Sequence, residues 1–215
     1  MATPLPVEST ARTSLLILAG GRATRLGGRR KALLRIGDRP ILERVLNALS
    51  PLADECLALV QDADLPAMQG LRLVVDPRAH AGVLPALAHG LRIATGDVCL
   101  LVASDMPFVS RAAFASLLGI AAEEAAPVVV PYVDGHLEPM HAVVSRRALL
   151  EAVESAQRAG EQRLFKVLQM LNPRLVDAAE LRLVDPHLHT LFNVNTPEDL
   201  VLAERILRGQ AVVNP

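Results

Sequence analysis

Half of the 215 residues are apolar (51%), a fifth are charged (21%), and the formal net charge at pH 7 is −1. A chain of this length suits one domain with a substantial core. The balanced charge, with four Phe, one Tyr and no Trp, argues against a nucleic-acid-binding protein, which needs a basic surface or stacking aromatics.

The first residues, 1–13, contain no long apolar core after basic residues, so we expect a flexible tail that is not a signal peptide. No apolar run approaches the roughly 20 residues that cross a membrane. Cys56 and Cys99 lie in apolar runs, which is typical of buried thiols in an intracellular protein. The sequence therefore predicts a cytoplasmic protein with no membrane partner, in which residues 14–215 form a single domain.

Short apolar runs of strand length alternate with segments whose apolar residues recur at helical spacing. This alternation predicts βαβ units, and hence an α/β fold with three αβα layers around a mostly parallel, Rossmann-like sheet. The first predicted strands are 14–20, 56–61, 71–76, 98–105 and 126–132, and the helices between them are 40–50, 83–94 and 110–124.

The pattern changes after the fifth predicted strand. A turn at 133–135, followed by an apolar run at 137–145, predicts a hairpin and thus an antiparallel excursion from the sheet. The remaining predicted elements are helices at 148–157 and 165–171, a short strand near 181–184, and a last helix that begins at Thr196 or Pro197.

The first strand leads into a loop with two glycine pairs and five basic residues, LAGGRATRLGGRRK. Glycines directly after a strand let consecutive backbone N–H groups converge on phosphate oxygens. Arg25 and Lys31 would add positive charge beside a polyphosphate leaving group. The alternative is a flexible surface loop with solvated arginines. The loop has neither a Walker A motif nor the G-x-G-x-x-G of dinucleotide folds.

Polar residues stand at the ends of other predicted strands, where open α/β sheets bind ligands. Asp105 is either a candidate Mg²⁺ ligand or a turn aspartate. Asp76 could accept hydrogen bonds from a base or ribose, or only cap a turn. Asn193 and Asn195 alternate on an extended segment, so both side chains are expected to face the same crevice.

Together these motifs resemble those of the nucleotidyltransferases with a pyrophosphorylase-like fold, and most closely those of the molybdenum cofactor guanylyltransferases (MobA-type). The glycine-rich loop is similar to the family's L-A-G-G-x3-R-x-G-G-x2-K signature. Three later segments are similar to family motifs in the same order: SDMPF to D-x-P-[FY], EPMHAVVS to H-P-x-x-A-x-V, and FNVNTPEDL to N-x-N-T-P-E-[DE]-L. The resemblance extends from residue 14 to about residue 206.

The resemblance implies transfer of GMP from GTP to the terminal phosphate of Mo-molybdopterin, with Mg²⁺ as cofactor and pyrophosphate as the second product. It implies catalytic roles for Arg25, Lys31 and Asp105, a metal-binding role for Asp105, and a pterin-side position for Asn193 and Asn195. It also implies transient contact with proteins that deliver molybdopterin or accept the product. The nucleotide-binding residues that it implies are Leu18, Ala19, Gly20, Gly21, Lys31, Gln61, Asp76 and Asp105.

Two other functions stay open. A related transferase could use CTP or a sugar-phosphate acceptor. The choice of base stays open because this chain reads GVLPALAHG where the family usually has G-P-L-A-G, whereas Gln61 keeps an amide where the family usually has an asparagine, so its role is expected to survive. Against CTP, the relatives that use it more often read L-A-A-G and D-x-D-T-P where this chain has LAGG and NVNTP. The other possibility is a non-catalytic nucleotide-binding subunit, which would not need both Lys31 and Asp105.

Overall fold

An eight-stranded sheet lies at the centre of the protein. The computed structural model describes residues 11–20, 22–23, 29–63, 65–77 and 82–210. Within those residues the strands are β1 (Thr13–Leu18), β2 (Arg22–Ala23), β3 (Arg29–Arg30), β4 (Arg35–Ile36), β5 (Arg39–Pro40), β6 (Glu55–Val60), β7 (Leu71–Val75), β8 (Val98–Ala103), β9 (Val128–Val133), β10 (His136–Leu137), β11 (His141–Ser145) and β12 (Arg174–Asp177).

The strand order of the large sheet is β10-β9-β11-β8-β1-β6-β7, and β12 also pairs with β9. Strands β8, β1, β6 and β7 run parallel to one another. Strand β11 follows the β9–β10 hairpin, enters between β8 and β9, and runs antiparallel to both. The prediction of a mostly parallel sheet with an antiparallel hairpin excursion is confirmed.

Helices connect the strands where apolar residues recur at helical spacing. Side chains cap the backbone N–H groups at several helix starts: Ser110 accepts from the Ala113 N–H, and Thr196 forms a capping box with Asp199. In the described part of the chain, no helix is long and apolar enough to cross a bilayer. The α-helices of that part are α1 (Ile41–Leu49), α2 (Val83–Ile93), α3 (Arg111–Glu123), α4 (Arg146–Arg158), α5 (Leu164–Met170), α6 (Ala178–Arg182) and α7 (Pro197–Leu207).

These helices cover both faces of the sheet, so two cores form and the predicted three-layer arrangement results. Side chains alternate between the faces along each buried strand. In β1, Leu15 and Ile17 join the core under α1, α3 and α7, whereas Leu16 joins the core under α2, α4 and α5. Cys56 and Cys99 are buried as predicted, one in each core. Burial raises the pKa of the Cys99 thiol to about 12, as expected for a side chain that only packs.

The prediction of a short strand near 181–184 is wrong. Asp177 accepts a hydrogen bond from the Glu180 N–H at 2.8 Å, and this capping box starts helix α6 in place of the strand. Leu181 is buried on the helix, whereas Leu183 lies beyond it and is 84% exposed. The strand of this region comes earlier, as β12, which pairs in parallel with β9.

Candidate active site

A cavity of about 440 Å³ opens at the carboxyl ends of the parallel strands, where open α/β sheets bind their ligands. Parallel strands end at the same edge of a sheet. Residues at or just beyond the last positions of β1, β6, β7 and β8 therefore line this cavity. Seven residues that the sequence predicts for the site line this cavity: Leu18, Gly20, Gln61, Asp76, Asp105, Asn193 and Asn195.

Lys31 lies beside this cavity because β2 and β3, which follow β1, pair and bring the chain back towards the sheet edge. Strand β3 pairs antiparallel with β2, and Lys31 begins a 3-10 turn directly after β3. Arg30, the last residue of β3, forms an ion pair with Asp62, two residues beyond the end of β6. The ladder and the ion pair together fix the position of the lysine relative to the sheet edge.

The Lys31 ammonium contacts two of the predicted site residues. It donates a hydrogen bond to Asp105 Oδ2 at 2.9 Å and another to Asn195 Oδ1. The Lys31 and Asp105 side chains are only 19% and 17% exposed, so solvent and salt screen this pair less than a surface pair. An ammonium has three N–H donors and these contacts use two. Among the described residues no third acceptor contacts the ammonium, so one donor remains, next to the cavity that Asp105 and Asn195 line.

Backbone hydrogen bonds hold Asp105 in place on both sides. The Ser104 N–H donates to a carbonyl of β1 at 3.1 Å, and the Asp105 carbonyl accepts from the Val194 N–H at 2.9 Å. The second bond ties the aspartate to the extended segment that carries the two asparagines. Because Asn193 and Asn195 flank Val194, both amides lie on the cavity side, as the alternation predicts.

The two asparagines are fixed by different contacts. The side-chain amide of Asn193 donates to the Leu191 carbonyl at 3.0 Å, and among the described residues nothing donates to its oxygen. Asn195 accepts from Lys31, and its backbone N–H donates to Asp199 Oδ2 at 2.8 Å. The cap of helix α7 therefore positions the second asparagine.

The ends of β1, β6 and β7 form the other side of the cavity. A Cβ on Gly20 would lie 3.2 Å from Gln61 Cγ, so a glycine lets these two strand ends meet closely. The Asp76 N–H donates to the Val60 carbonyl at 2.8 Å, and the aspartate is 6% exposed. This side presents an amide and a carboxylate, groups that can bind the donors and acceptors of a sugar or base.

The remaining predicted residues are Ala19, Gly21 and Arg25. Ala19 is 2% exposed, and its N–H donates to the Leu59 carbonyl at 2.9 Å, so it continues the pairing of β1 with β6 and does not line the cavity. Gly21 and Arg25 lie outside the described residues, and their roles stay predictions.

The cavity also contains residues that the sequence does not single out. Glu138, Pro139 and Met140 connect β10 to β11 and line the cavity on the β11 side. Burial raises the pKa of the Glu138 carboxyl, and the nearby His136 opposes this shift. A glutamate directly after a hairpin is typical of a solvated surface. The only sequence signal for it is its place in EPMHAVVS.

The oxygen groups around Asp105 fit a magnesium ion. Mg²⁺ prefers hard oxygen ligands and usually takes one or two carboxylates, with substrate phosphates and water completing its coordination. Asp105 offers a carboxylate to the cavity, and Asn193 offers an amide oxygen. Among the described residues, no group of three His, Cys, Asp or Glu side chains could hold a metal alone. A bound substrate would therefore have to supply further ligands.

The sequence matches the family described as "MobA-like NTP transferase domain" over residues 15–177. It is 34% identical over 208 residues to the probable molybdenum cofactor guanylyltransferase of Methanosarcina acetivorans, covering 92% of each chain. It is 31% identical over 195 residues to the molybdenum cofactor guanylyltransferase of Desulfosudis oleivorans, covering 90% of this chain and 95% of that one. Both similarities therefore extend over nearly the whole chain.

Solved structures share the fold as well. The crystal structure of molybdopterin-guanine dinucleotide biosynthesis protein A from Archaeoglobus fulgidus matches with a TM-score of 0.76 and 25% identity, covering 91% of this chain and 99% of that one. For 2-C-methyl-D-erythritol 4-phosphate cytidylyltransferase from Thermus thermophilus the TM-score is 0.70 and the identity 27%, covering 92% and 99%. Since one of these proteins is named for a guanine dinucleotide and the other for cytidylyl transfer, the fold alone does not select the base.

Proposed function

This chain belongs to the MobA-like NTP transferase family, and we propose that it transfers GMP from GTP to the terminal phosphate of Mo-molybdopterin. An oxygen of the acceptor phosphate attacks the α-phosphorus of GTP. The new bond from phosphorus to oxygen forms as the bond to the β-phosphate breaks, and pyrophosphate leaves. The products are molybdopterin guanine dinucleotide and pyrophosphate.

The observation that carries this proposal is the Lys31 ammonium, held between Asp105 and Asn195 beside the cavity. Phosphoryl transfer places negative charge on the oxygens around the reacting phosphorus, so catalysis is mainly positioning and charge stabilisation. In this proposal the third N–H of Lys31 donates to a phosphate oxygen. Asp105 and Asn195 keep the ammonium in that position before the substrates bind, so the protein does not have to reorganise during the reaction.

The nucleotide and the acceptor approach from different ends of the cavity in this proposal. The β1, β6 and β7 ends, with Leu18, Gly20, Gln61 and Asp76, hold the nucleotide. The family motif also assigns nucleotide binding to backbone groups of Ala19 and Gly21 and to the charge of Arg25. The asparagines Asn193 and Asn195 lie beyond Asp105, on the side of the pterin substrate.

Asp105 is the proposed protein ligand of a magnesium ion. This carboxylate would hold Mg²⁺ together with phosphate oxygens of GTP, and the ion would supply positive charge to the leaving pyrophosphate. Lys31, as a second cation, would act at the same phosphates. We place the reaction in the cytoplasm, with transient contacts to proteins that deliver molybdopterin or accept the dinucleotide.

The experiment that tests the proposal is a panel of nucleotides. The protein is incubated with molybdopterin, Mg²⁺ and one of GTP, CTP, ATP or UTP, and pyrophosphate release is measured. We expect GTP to support the fastest release, as in proteins named guanylyltransferases among the relatives. A preference for CTP would overturn the choice of base. The absence of release with all four nucleotides would favour a non-catalytic nucleotide-binding subunit.

A further inference from the structure

We propose that a second pocket, next to the nucleotide cavity, binds the pterin ring of the acceptor, and that the Glu138 carboxylate recognises the 2-amino-4-oxo edge of that ring. This inference rests on the proposed function and deepens it. It assigns a subsite and a specificity-determining residue to the acceptor side of the reaction.

The second pocket has a volume of about 250 Å³. That is on the order of eight water molecules, enough for a flat bicyclic ring. Four of the seven lining residues are apolar, and two are carboxylates, Asp134 and Glu138, of which only Glu138 also lines the nucleotide cavity. The residues that line it are Val133, Asp134, His136, Glu138, Leu188, Leu191 and Phe192.

Two features place this pocket next to the nucleotide cavity. Glu138 lines both spaces. The segment before α7 also passes from one to the other, since Leu191 and Phe192 line the second pocket and Asn193 lines the cavity. In this proposal a ligand that extends from the second pocket past Glu138 would reach the part of the cavity that Asp105 and Asn193 line.

Glu138 lies at the opposite end of the cavity from the proposed nucleotide side. In the sheet, β11 is separated from β7 by four strand steps, through β8, β1 and β6. At about 4.8 Å per step, the β11 end and the β7 end are roughly 19 Å apart. Asp76 follows β7 and Glu138 precedes β11, with Asp105 between them at the end of β8. The acceptor phosphate would thus approach Asp105 from the Glu138 side.

The backbone around Glu138 is fixed, which suits a recognition residue. Its N–H donates to the Pro131 carbonyl at 3.0 Å, and its carbonyl accepts from the His141 N–H at 2.9 Å. The second bond closes a tight turn with Pro139 at its second position, where proline restricts the backbone. Little backbone freedom is therefore left for a ligand to remove at this position.

The Glu138 side chain offers two acceptor oxygens to a ligand. Among the described residues none donates a hydrogen bond to this carboxylate, and its surroundings act on it through burial and the charge of His136. A pterin presents two parallel donors, N3–H and the 2-amino group. A carboxylate accepts such a pair of N–H groups in the bidentate arrangement that guanidinium groups also use. Leu188, Leu191 and Phe192 would contact the ring itself.

Guanine carries the same pair of donors, so the test must separate the two rings. We would titrate the protein with free pterin and with lumazine, which has an oxygen in place of the 2-amino group, following ligand fluorescence. GTP binding is titrated separately. Glu138→Gln keeps the size of the side chain but replaces one acceptor oxygen by a donor. Glu123→Gln, on the exposed end of α3, is the matched control.

We expect Glu138→Gln to raise the Kd for pterin at least tenfold, to remove the preference for pterin over lumazine, and to leave the Kd for GTP within twofold. In steady-state transfer the KM for molybdopterin should rise far more than kcat falls. Leu191→Trp, which fills the second pocket, should also weaken pterin binding and spare GTP binding.

Two results would overturn the inference. Loss of GTP affinity with unchanged pterin affinity would assign Glu138 to guanine, and unchanged affinity for both in both variants would remove the subsite. Failure of the proposed function looks different. In that case the wild-type protein makes no dinucleotide in the nucleotide panel, whatever the pterin titrations give.

Discussion

Lys31 Nζ lies 2.9 Å from Asp105 Oδ2, although 74 positions separate the two residues in the chain. One follows the loop after β1 and the other follows β8, and these strands are neighbours in the sheet. The parallel pairing of β1 and β8 thus brings together a cation and an anion that neither segment could place alone. Asn195 completes the group from the start of α7.

Replacing Lys31 tests whether its charge acts on the reaction. We expect Lys31→Ala to lower kcat/KM by roughly 10²–10³-fold, the effect of removing one positioned group that stabilises transition-state charge. Lys31→Arg should recover only part of the rate, because a guanidinium has a different shape and reach. Lys166 on α5, the other lysine of the chain, provides the control variant Lys166→Ala. Equal rates for the two alanine variants would show that Lys31 is only a surface charge.

Replacing Asp105 tests the proposed magnesium ligand. Asp105→Ala should abolish Mg²⁺-dependent transfer and leave the fold intact, because a single carboxylate at the cavity wall contributes little to the core. Rates are measured across a Mg²⁺ titration, and thermal unfolding checks the fold. Asp38→Ala, whose side chain is 82% exposed, is the control. Near-normal turnover of Asp105→Ala would contradict the metal assignment.

His141 should make the protein less stable in mild acid. Its ring is buried against Phe114, with centroids 4.3 Å apart, and burial lowers its pKa from 6.5 to about 3. Nε2 lies 3.3 Å from Thr190 Oγ1, and Nδ1 has no hydrogen-bond partner in the described part of the chain. Between these two pKa values the unfolded chain binds a proton that the folded protein does not, so the free energy of unfolding falls as the pH falls.

The protonation of His141 in the unfolded chain is expected to lower the free energy of unfolding by about 1.4 kcal/mol between pH 7.5 and pH 5.5. Urea unfolding of the wild type at both pH values measures the total difference. His141→Phe should reduce that difference by about this amount. His187→Gln, at an exposed histidine, should leave it unchanged. If His141→Phe keeps the full difference, other groups cause the acid sensitivity.

Two glycines should respond to alanine in opposite directions. A Cβ on Gly96 would lie 2.6 Å from Ser14 Oγ and 2.8 Å from the Arg12 carbonyl, whereas one on Gly119 would meet nothing within 4 Å. We expect Gly96→Ala to destabilise the protein by about 1–3 kcal/mol, because backbone must move. Gly119→Ala, inside helix α3, should stabilise it by about 0.5–1 kcal/mol through helix propensity. Chemical unfolding of both variants checks the signs, and a destabilising Gly119→Ala would contradict this account.

The central strands and their burial could be predicted from the sequence because each is an apolar run that ends at a polar or glycine residue. Asp105 follows such a run, and so does Asp76, so both could be placed at the edge of the sheet. The alternation of Asn193 and Asn195 is sufficient to place both amides on one side. Local pattern predicts these features because they depend on the strands themselves.

Other features depend on contacts between distant segments, which a local pattern does not contain. The contact of Lys31 with Asn195 needs the β2–β3 ladder and the cap of α7 together. Glu138 belongs to the site only because β11 inserts between β8 and β9. The apolar residues near Leu181 look like a strand in isolation, and the capping box at Asp177 makes them helical.

The insertion of β11 has a consequence for how such a site can diversify. Strand β11 runs antiparallel to its neighbour β8, so its first residue lies at the cavity edge of the sheet, whereas the parallel strands reach that edge with their last residues. The β9–β10 hairpin and the turn at Glu138, which lead into β11, therefore lie on the proposed acceptor side. Hairpins tolerate changes of length and sequence. A new acceptor could be accommodated by remodelling that entry alone, while the strand ends proposed to hold the nucleotide keep their geometry.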